Sequence, residues 1–174
     1  VHGRRLGGRQ RNALGRGGAV GRLNPGRRGG VPGGGGGHLG AVGGGLICGM
    51  GAHLKHRYPN MKIVGVQPIE SASMYESLKA REIVTLERVG TFADGVAVKR
   101  VGEETFRVAS EVVDEIILVS TDEICAAIKD IFEDLRVIAE PSGALAVAGM
   151  KRYAERGLAA RSTLVAVNSG ANMN

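Results

Sequence analysis

The stretch Val42-Gly43-Gly44-Gly45-Leu46-Ile47 sets three consecutive glycines directly against the start of an apolar helical pattern. Residues without a Cβ let the backbone turn sharply and aim several N–H groups into one small space. The helix behind them adds its own unpaired N–H groups and the positive end of its dipole. Such a bend is an anion cradle, suited to a phosphate or a carboxylate. Glycine runs also serve as linkers, so the reading depends on what else the chain brings to the same place.

On the N-terminal side of the cradle the sequence changes character. Residues 1–38 hold eight arginines, no acidic residue and 15 of the 29 glycines, whereas the rest of the chain is slightly acidic. No helical or strand period exists there, and such a segment cannot bury enough surface to offset its ordering entropy, so disorder is expected. Residues 1–38 read as a Gly/Arg-rich arm that contacts nucleic-acid phosphates, as an Arg-rich leader, or as sequence not native to the fold. Any nucleic-acid binding belongs to this arm alone. The domain proper is expected over residues 39–174.

The remainder alternates apolar strands with helices. Helices are expected from Leu46 to Tyr58, Ser71 to Ala80, Glu103 to Asp114, after the Ser120/Glu123 capping box, and from Pro141 to Gly157. Buried strands are expected at Lys62–Pro68, Glu115–Val119 and Ser162–Val167, with Ile83–Val101 a mixed region of turns. In the fourth helix, Ile124, Ile128, Ile131, Phe132 and Leu135 form the expected inner stripe. With no hairpin signal between strands, the fold class is α/β: an open, mostly parallel sheet with helices on both faces. Ligands of such sheets bind beyond the carboxyl ends of the strands, where the glycine loop, the Glu140-Pro141-Ser142-Gly143-Ala144 turn and Ser169 all fall.

Several chemistries are disfavoured. No apolar run approaches the ~18 residues of a membrane span. Cys48 and Cys125 have no paired spacing and read as free, packed thiols. His53 and His56 share a helix face without further ligands and read as surface residues, so no metal site is expected. There is no Gly-Lys-Ser/Thr for a nucleoside triphosphate, and Gln67 replaces the acidic residue a dinucleotide site needs. A single phosphate ester fits the loop best.

Seven stretches carry a resemblance: the glycine loop, Gly65-Val66-Gln67-Pro68, Met74-Tyr75-Glu76-Ser77-Leu78, Thr91-Phe92-Ala93-Asp94-Gly95-Val96-Ala97-Val98, Ser120-Thr121-Asp122-Glu123-Ile124, Glu140-Pro141-Ser142-Gly143-Ala144 and Asn168-Ser169-Gly170-Ala171-Asn172. In this order they resemble the C-terminal part of the catalytic region of threonine ammonia-lyase (threonine dehydratase), a pyridoxal 5'-phosphate enzyme of the tryptophan-synthase-β-like fold. The resemblance implies that Gly43, Gly44, Gly45 and Leu46 cradle the cofactor phosphate, with Val42 standing where the family has the first of four glycines. It implies that Ser169 hydrogen-bonds the pyridine nitrogen and that Glu140 and Gly143 lie beside the ring. Gln67 stands where some relatives place a carboxylate of a divalent-cation site, so none is expected here.

The implied reaction converts L-threonine, or L-serine, to a 2-oxo acid and ammonia. For L-threonine the product is 2-oxobutanoate, as used in isoleucine biosynthesis. The family's Schiff-base lysine lies in a Ser-x-Lys-x-Arg-Gly context, which this sequence lacks, so no catalytic residue is assigned and the chain alone is expected to be inactive. A homo-oligomeric parent and a cytoplasmic location, or a plastid one in a plant or alga, also follow from the resemblance. Where the family has a strand and helix before the glycine loop, this sequence has the arm.

Overall fold

The computed structural model describes residues 37–41, 44–157 and 162–171. The arm expected over residues 1–38 lies outside them except for its last two residues. Among the described residues four strands, β1 (Gly37–Ala41), β2 (Lys62–Pro68), β3 (Glu115–Val119) and β4 (Leu164–Ala166), form one sheet in the order β3-β2-β1-β4. All three pairings are parallel. The helices are α1 (Gly45–Arg57), α2 (Ser73–Ala80), α3 (Glu103–Val112), α4 (Thr121–Leu135) and α5 (Pro141–Glu155).

Alternation along the strands divides the core into two layers. Val64, Val66, Ile117 and Val119 pack with Ile124, Ala127 and Ile131 of α4 and with Ala144, Leu145 and Ala148 of α5. On the other face Ile63 and Ile116 pack with Ile47 and Cys48 of α1, Met74 of α2 and Ala109 of α3. β2 is buried from Ile63 onward, as a parallel strand covered on both faces must be. Helix α5 lies so close to the sheet that a Cβ on Gly149 would come within 2.3 Å of Val66 Cγ2.

The chain steps outward from β1 to β2 to β3, and α4 and α5 then carry it back to the far side of β1. β1 therefore pairs with both the next strand and the last one, and the order reverses between β1 and β4. In open α/β sheets that reversal is where ligands bind.

Several sequence expectations need correction. A strand does precede the glycine loop: Gly37–Ala41 is central in the sheet, although Gly-His-Leu-Gly-Ala contains no β-branched or aromatic residue to announce it. The last strand spans Leu164–Ala166 only and is an edge among the described residues, with Val165 51% exposed rather than buried. β3 is the other edge, so only Ile117 and Val119 are fully buried. In α4 the buried stripe is Ile124, Ala127 and Ile131, with Ile128 partly buried; Phe132 and Leu135, near its end, are exposed. Residues Ile69–Ser71 form a 3-10 turn, so α2 starts at Ser73. Cys48 is buried but Cys125 is exposed, so only one thiol is packed.

Capping and edge charges secure the periphery. Ser120 and Glu123 form the reciprocal capping box, and Arg152 of α5 donates to both Glu123 oxygens at 3.0 and 3.1 Å. Burial pushes the Glu123 carboxyl up, but the hydrogen bonds from Ser120 and the Arg152 charge more than reverse this and hold it low. Burial likewise opposes ionisation of Glu115, and Lys62 and Arg156 overcome it, so its pKa is also lowered. Lys62 is correspondingly raised, chiefly by its hydrogen bond to Glu115.

Two outcomes are expected. A carboxylate with a lowered folded pKa stabilises the fold above the ordinary carboxylate range near ~4 and loses that contribution as pH falls through the folded value. Lys62, being raised, contributes below ~10.4 and loses its contribution as pH rises through the higher folded value. Urea midpoints measured against pH should fall on both flanks, and E123Q should flatten the acid limb. G149A should cost about 1–3 kcal/mol in the same unfolding experiment, because the new methyl cannot fit against Val66.

Candidate functional site

The loop after β1 and the segment after β4 leave adjacent parallel strands at the same end, since Leu39 lies opposite Ala166. Gly44 is three residues beyond β1 and Ser169 three beyond β4. Of the expected cradle, Val42 and Gly43 lie outside the described residues. Gly44 caps α1 with φ +110, a conformation L side chains rarely adopt, and a Cβ there would meet Thr105 Cβ at 3.0 Å. Cys48 N donates to Gly44 O at 3.0 Å, the first bond of the helix. α1 has no side-chain cap and no acidic residue in its first turn. Among the described residues the leading N–H groups are therefore not taken by a side chain, and nothing lies within 4 Å of a Cβ position on Gly45. Leu46 is exposed beside it, and Ile47 anchors the turn in the core.

The start of α3 supports this bend. Thr105 lies against Gly44, and the Cys48 thiol donates to Thr105 O at 3.2 Å. Burial pushes the Cys48 pKa up, so this thiol stays protonated as a donor.

The second part of the site is a tight joint. Pro141 opens α5 at its first turn, and Glu140 N donates to Gly170 O at 3.1 Å. A Cβ on Gly143 would lie 2.1 Å from Gly170 O, and one on Gly170 would lie 2.0 Å from Glu140 Oε1. The structure therefore brings Glu140 and Gly143 against the residue that follows Ser169. Ser169 itself is exposed.

Three residues the sequence reading did not assign to the site complete this joint. Ser142, buried, donates its hydroxyl to Glu140 Oε1 at 3.0 Å. A Cβ on Gly95, in the 3-10 turn Asp94–Val96, would come within 2.6 Å of Ser142 Oγ. Gly170 supplies the surface on which Glu140 rests. Gly95 and Gly170 occur inside quoted motifs, but no period or spacing marks them as contacts between distant segments.

An uncapped helix start thus follows one strand, a hydroxyl follows the next, and a carboxylate between glycines lies beside it. All six lysines are described and engaged elsewhere. Lys55 and Lys62 pair with Asp114 and Glu115, Lys129 and Lys151 with Glu133 and Asp130, Lys99 donates to Glu87 O, and Lys79 lies over Tyr75. His53 and His56 are both exposed on α1.

A fold and site of this kind define a class. Residues 38–170 match the family model described as pyridoxal-phosphate dependent enzyme, and the chain belongs to that family. Within it, the chain is 56% identical over 136 residues to mitochondrial threonine dehydratase of Saccharomyces cerevisiae, covering 76% of this chain and 24% of that protein. It is 54% identical over 132 residues to the biosynthetic L-threonine dehydratase of Pasteurella multocida, covering 76% of this chain and 26% of that protein. The processed form of threonine deaminase isoform 2 from Solanum lycopersicum superposes with a TM-score of 0.77 at 47% identity, over 79% of this chain and 38% of that one. The chain thus spans about a quarter of the length of these curated relatives.

G143A is the expected breaking point of the joint. Its methyl must displace the Gly170 carbonyl, at a cost of about 1–3 kcal/mol in chemical denaturation. Amide resonances of Asn168–Ala171 should shift in the same variant, whereas G45A, with no described atom within 4 Å of its Cβ position, should leave them in place.

Proposed function

We propose that this chain is the C-terminal part of the catalytic region of a pyridoxal-phosphate-dependent L-threonine dehydratase that also accepts L-serine. The parent enzyme would release 2-oxobutanoate and ammonia from L-threonine, the step that feeds isoleucine synthesis. What supports this reading is that the uncapped α1 and the Glu140–Gly170 joint follow adjacent parallel strands at the same end of the sheet.

Residues Gly43, Gly44, Gly45 and Leu46 would hold the phosphate through backbone N–H groups, with Val42 beside them in place of a further glycine. The Ser169 hydroxyl would donate to the pyridine nitrogen, and Glu140 and Gly143 would line the ring. Bound pyridoxal phosphate supplies an electron sink for loss of the α-proton and the β-hydroxyl. A hydroxyl partner, unlike a carboxylate, does not require the ring nitrogen to be protonated. This suits rapid elimination over longer-lived carbanion chemistry.

The group that would take the α-proton is a lysine in a Ser-x-Lys-x-Arg-Gly setting, and none of the six lysines of this sequence has those neighbours. The isolated chain is therefore a binding half without its proton-transfer group. The parent would be a homo-oligomer, cytoplasmic or, in a plant or alga, plastid; the related proteins include mitochondrial and chloroplastic forms.

The purified chain incubated with pyridoxal phosphate and L-threonine is expected to yield no 2-oxobutanoate. Fluorescence titration should detect weak cofactor binding that inorganic phosphate competes away and that G44V abolishes. Turnover by the chain alone would contradict the assignment, as would cofactor binding indifferent to both phosphate and G44V.

A further inference from the structure

The open edge of the sheet, remote from the β1/β4 reversal, carries a feature the proposed reaction does not use. A groove of about 640 Å³ runs between α2, α3 and the start of β3. Its floor is apolar, formed by partly buried Leu78, Phe106, Val113 and Ile116. Its wall is Asp114-Glu115-Ile116, where β3 pairs with β2 on one side only. Among the described residues nothing pairs with the outer edge of β3. The strand Glu-Ile-Ile-Leu-Val has one charge, at its first position, and none of the lysines or prolines that usually protect an open edge.

The charges around this groove are not balanced. Asp114 is paired with Lys55 and accepts from Ile63 N, and Glu115 is paired with Lys62 and Arg156. Both acidic groups on the wall are thus already neutralised. Lys79 and Arg81 have no carboxylate partner among the described residues. Lys79 Nζ lies 5.9 Å from the Tyr75 ring on the groove wall, and Arg81 projects from the left-handed cap of α2 at φ 60. Both are exposed. The groove therefore offers main-chain pairing along one side, an apolar floor, and two uncompensated positive charges at the rim.

We propose that this groove binds an extended acidic peptide segment, which adds to the free edge of β3 as a further strand. Main-chain hydrogen bonds to the edge supply affinity, and pockets for alternate side chains supply specificity. In an extended segment side chains alternate, so an apolar–acidic repeat seats its apolar side chains on the floor and leaves its carboxylates for the rim. The positive rim selects against basic segments, including one with the composition of this chain's own residues 1–38.

The test uses the full chain and a fluorophore-labelled, end-blocked Val-Glu-Val-Glu-Val peptide. Anisotropy should show saturable binding that weakens as salt rises. The double variant K79E/R81E, both positions being exposed and outside the cofactor site, should bind about tenfold more weakly. That variant should in turn gain affinity for a Val-Lys-Val-Lys-Val peptide. Hydrogen exchange at Ile116–Leu118 should slow on binding of the acidic peptide. The proposal is overturned by absence of saturable binding, by equal affinity in the double variant, or by exchange protection elsewhere in the fold. It is equally overturned if light scattering shows a dimer that the peptide does not dissociate and in which Ile116–Leu118 are already protected from exchange. Cofactor titration on K79E/R81E should be unchanged, so failure here is separable from failure of the dehydratase assignment.

Discussion

The contact on which the site depends is the approach of α5 to the chain leaving β4. Glu140 N reaches Gly170 O, and the absence of a Cβ at both Gly143 and Gly170 lets helix, loop and carboxylate occupy one small volume. Gly149, two turns on, performs the same service against Val66 and lets α5 lie low over the sheet. Without these glycines α5 would ride higher, and Glu140 would be carried away from the residues that follow β4. A set of missing methyl groups thus couples core packing to site geometry.

The same economy appears where β2 meets α2. Gln67 is 1% exposed near the end of β2, and its Oε1 accepts from Tyr75 N at 2.8 Å while Nε2 donates to Ser71 O at 3.2 Å. α2 has no side-chain cap of its own, so this amide caps it from the strand. An amide can donate and accept at once, which a carboxylate cannot, and the buried carbonyl of Ser71 needs the donor. The residue that argued against a dinucleotide site is therefore a structural strut.

How much of this was readable beforehand follows from which physics leaves a periodic trace. β2, the Ser120/Glu123 box and the Pro141 start of α5 were legible, because burial on two faces, reciprocal capping and proline geometry each act within a few residues. β1 was not, since Gly37–Ala41 is held by neighbours on both sides and has no strand-forming side chains of its own. Phe132 and Leu135 fit the helical period but are exposed at the end of α4. Of the candidate site, Gly44, Glu140, Gly143 and Ser169 were proposed from motifs, whereas Ser142, Gly95 and Gly170 were not. Ser142 bonds Glu140 only two residues away, but the close approaches of Gly95 to Ser142 and of Gly170 to Glu140 and Gly143 arise only when separate segments meet, which no local spacing encodes.

The central claim is that two strand ends form one ligand site at the β1/β4 reversal. Backbone amide NMR of the isotope-labelled chain titrated with pyridoxal phosphate tests it most directly. The account predicts that resonances of Gly44–Ile47, of Glu140–Gly143 and of Asn168–Ala171 shift together along one saturation curve. Shifts confined to one of these segments, or appearing on separate curves, would contradict it.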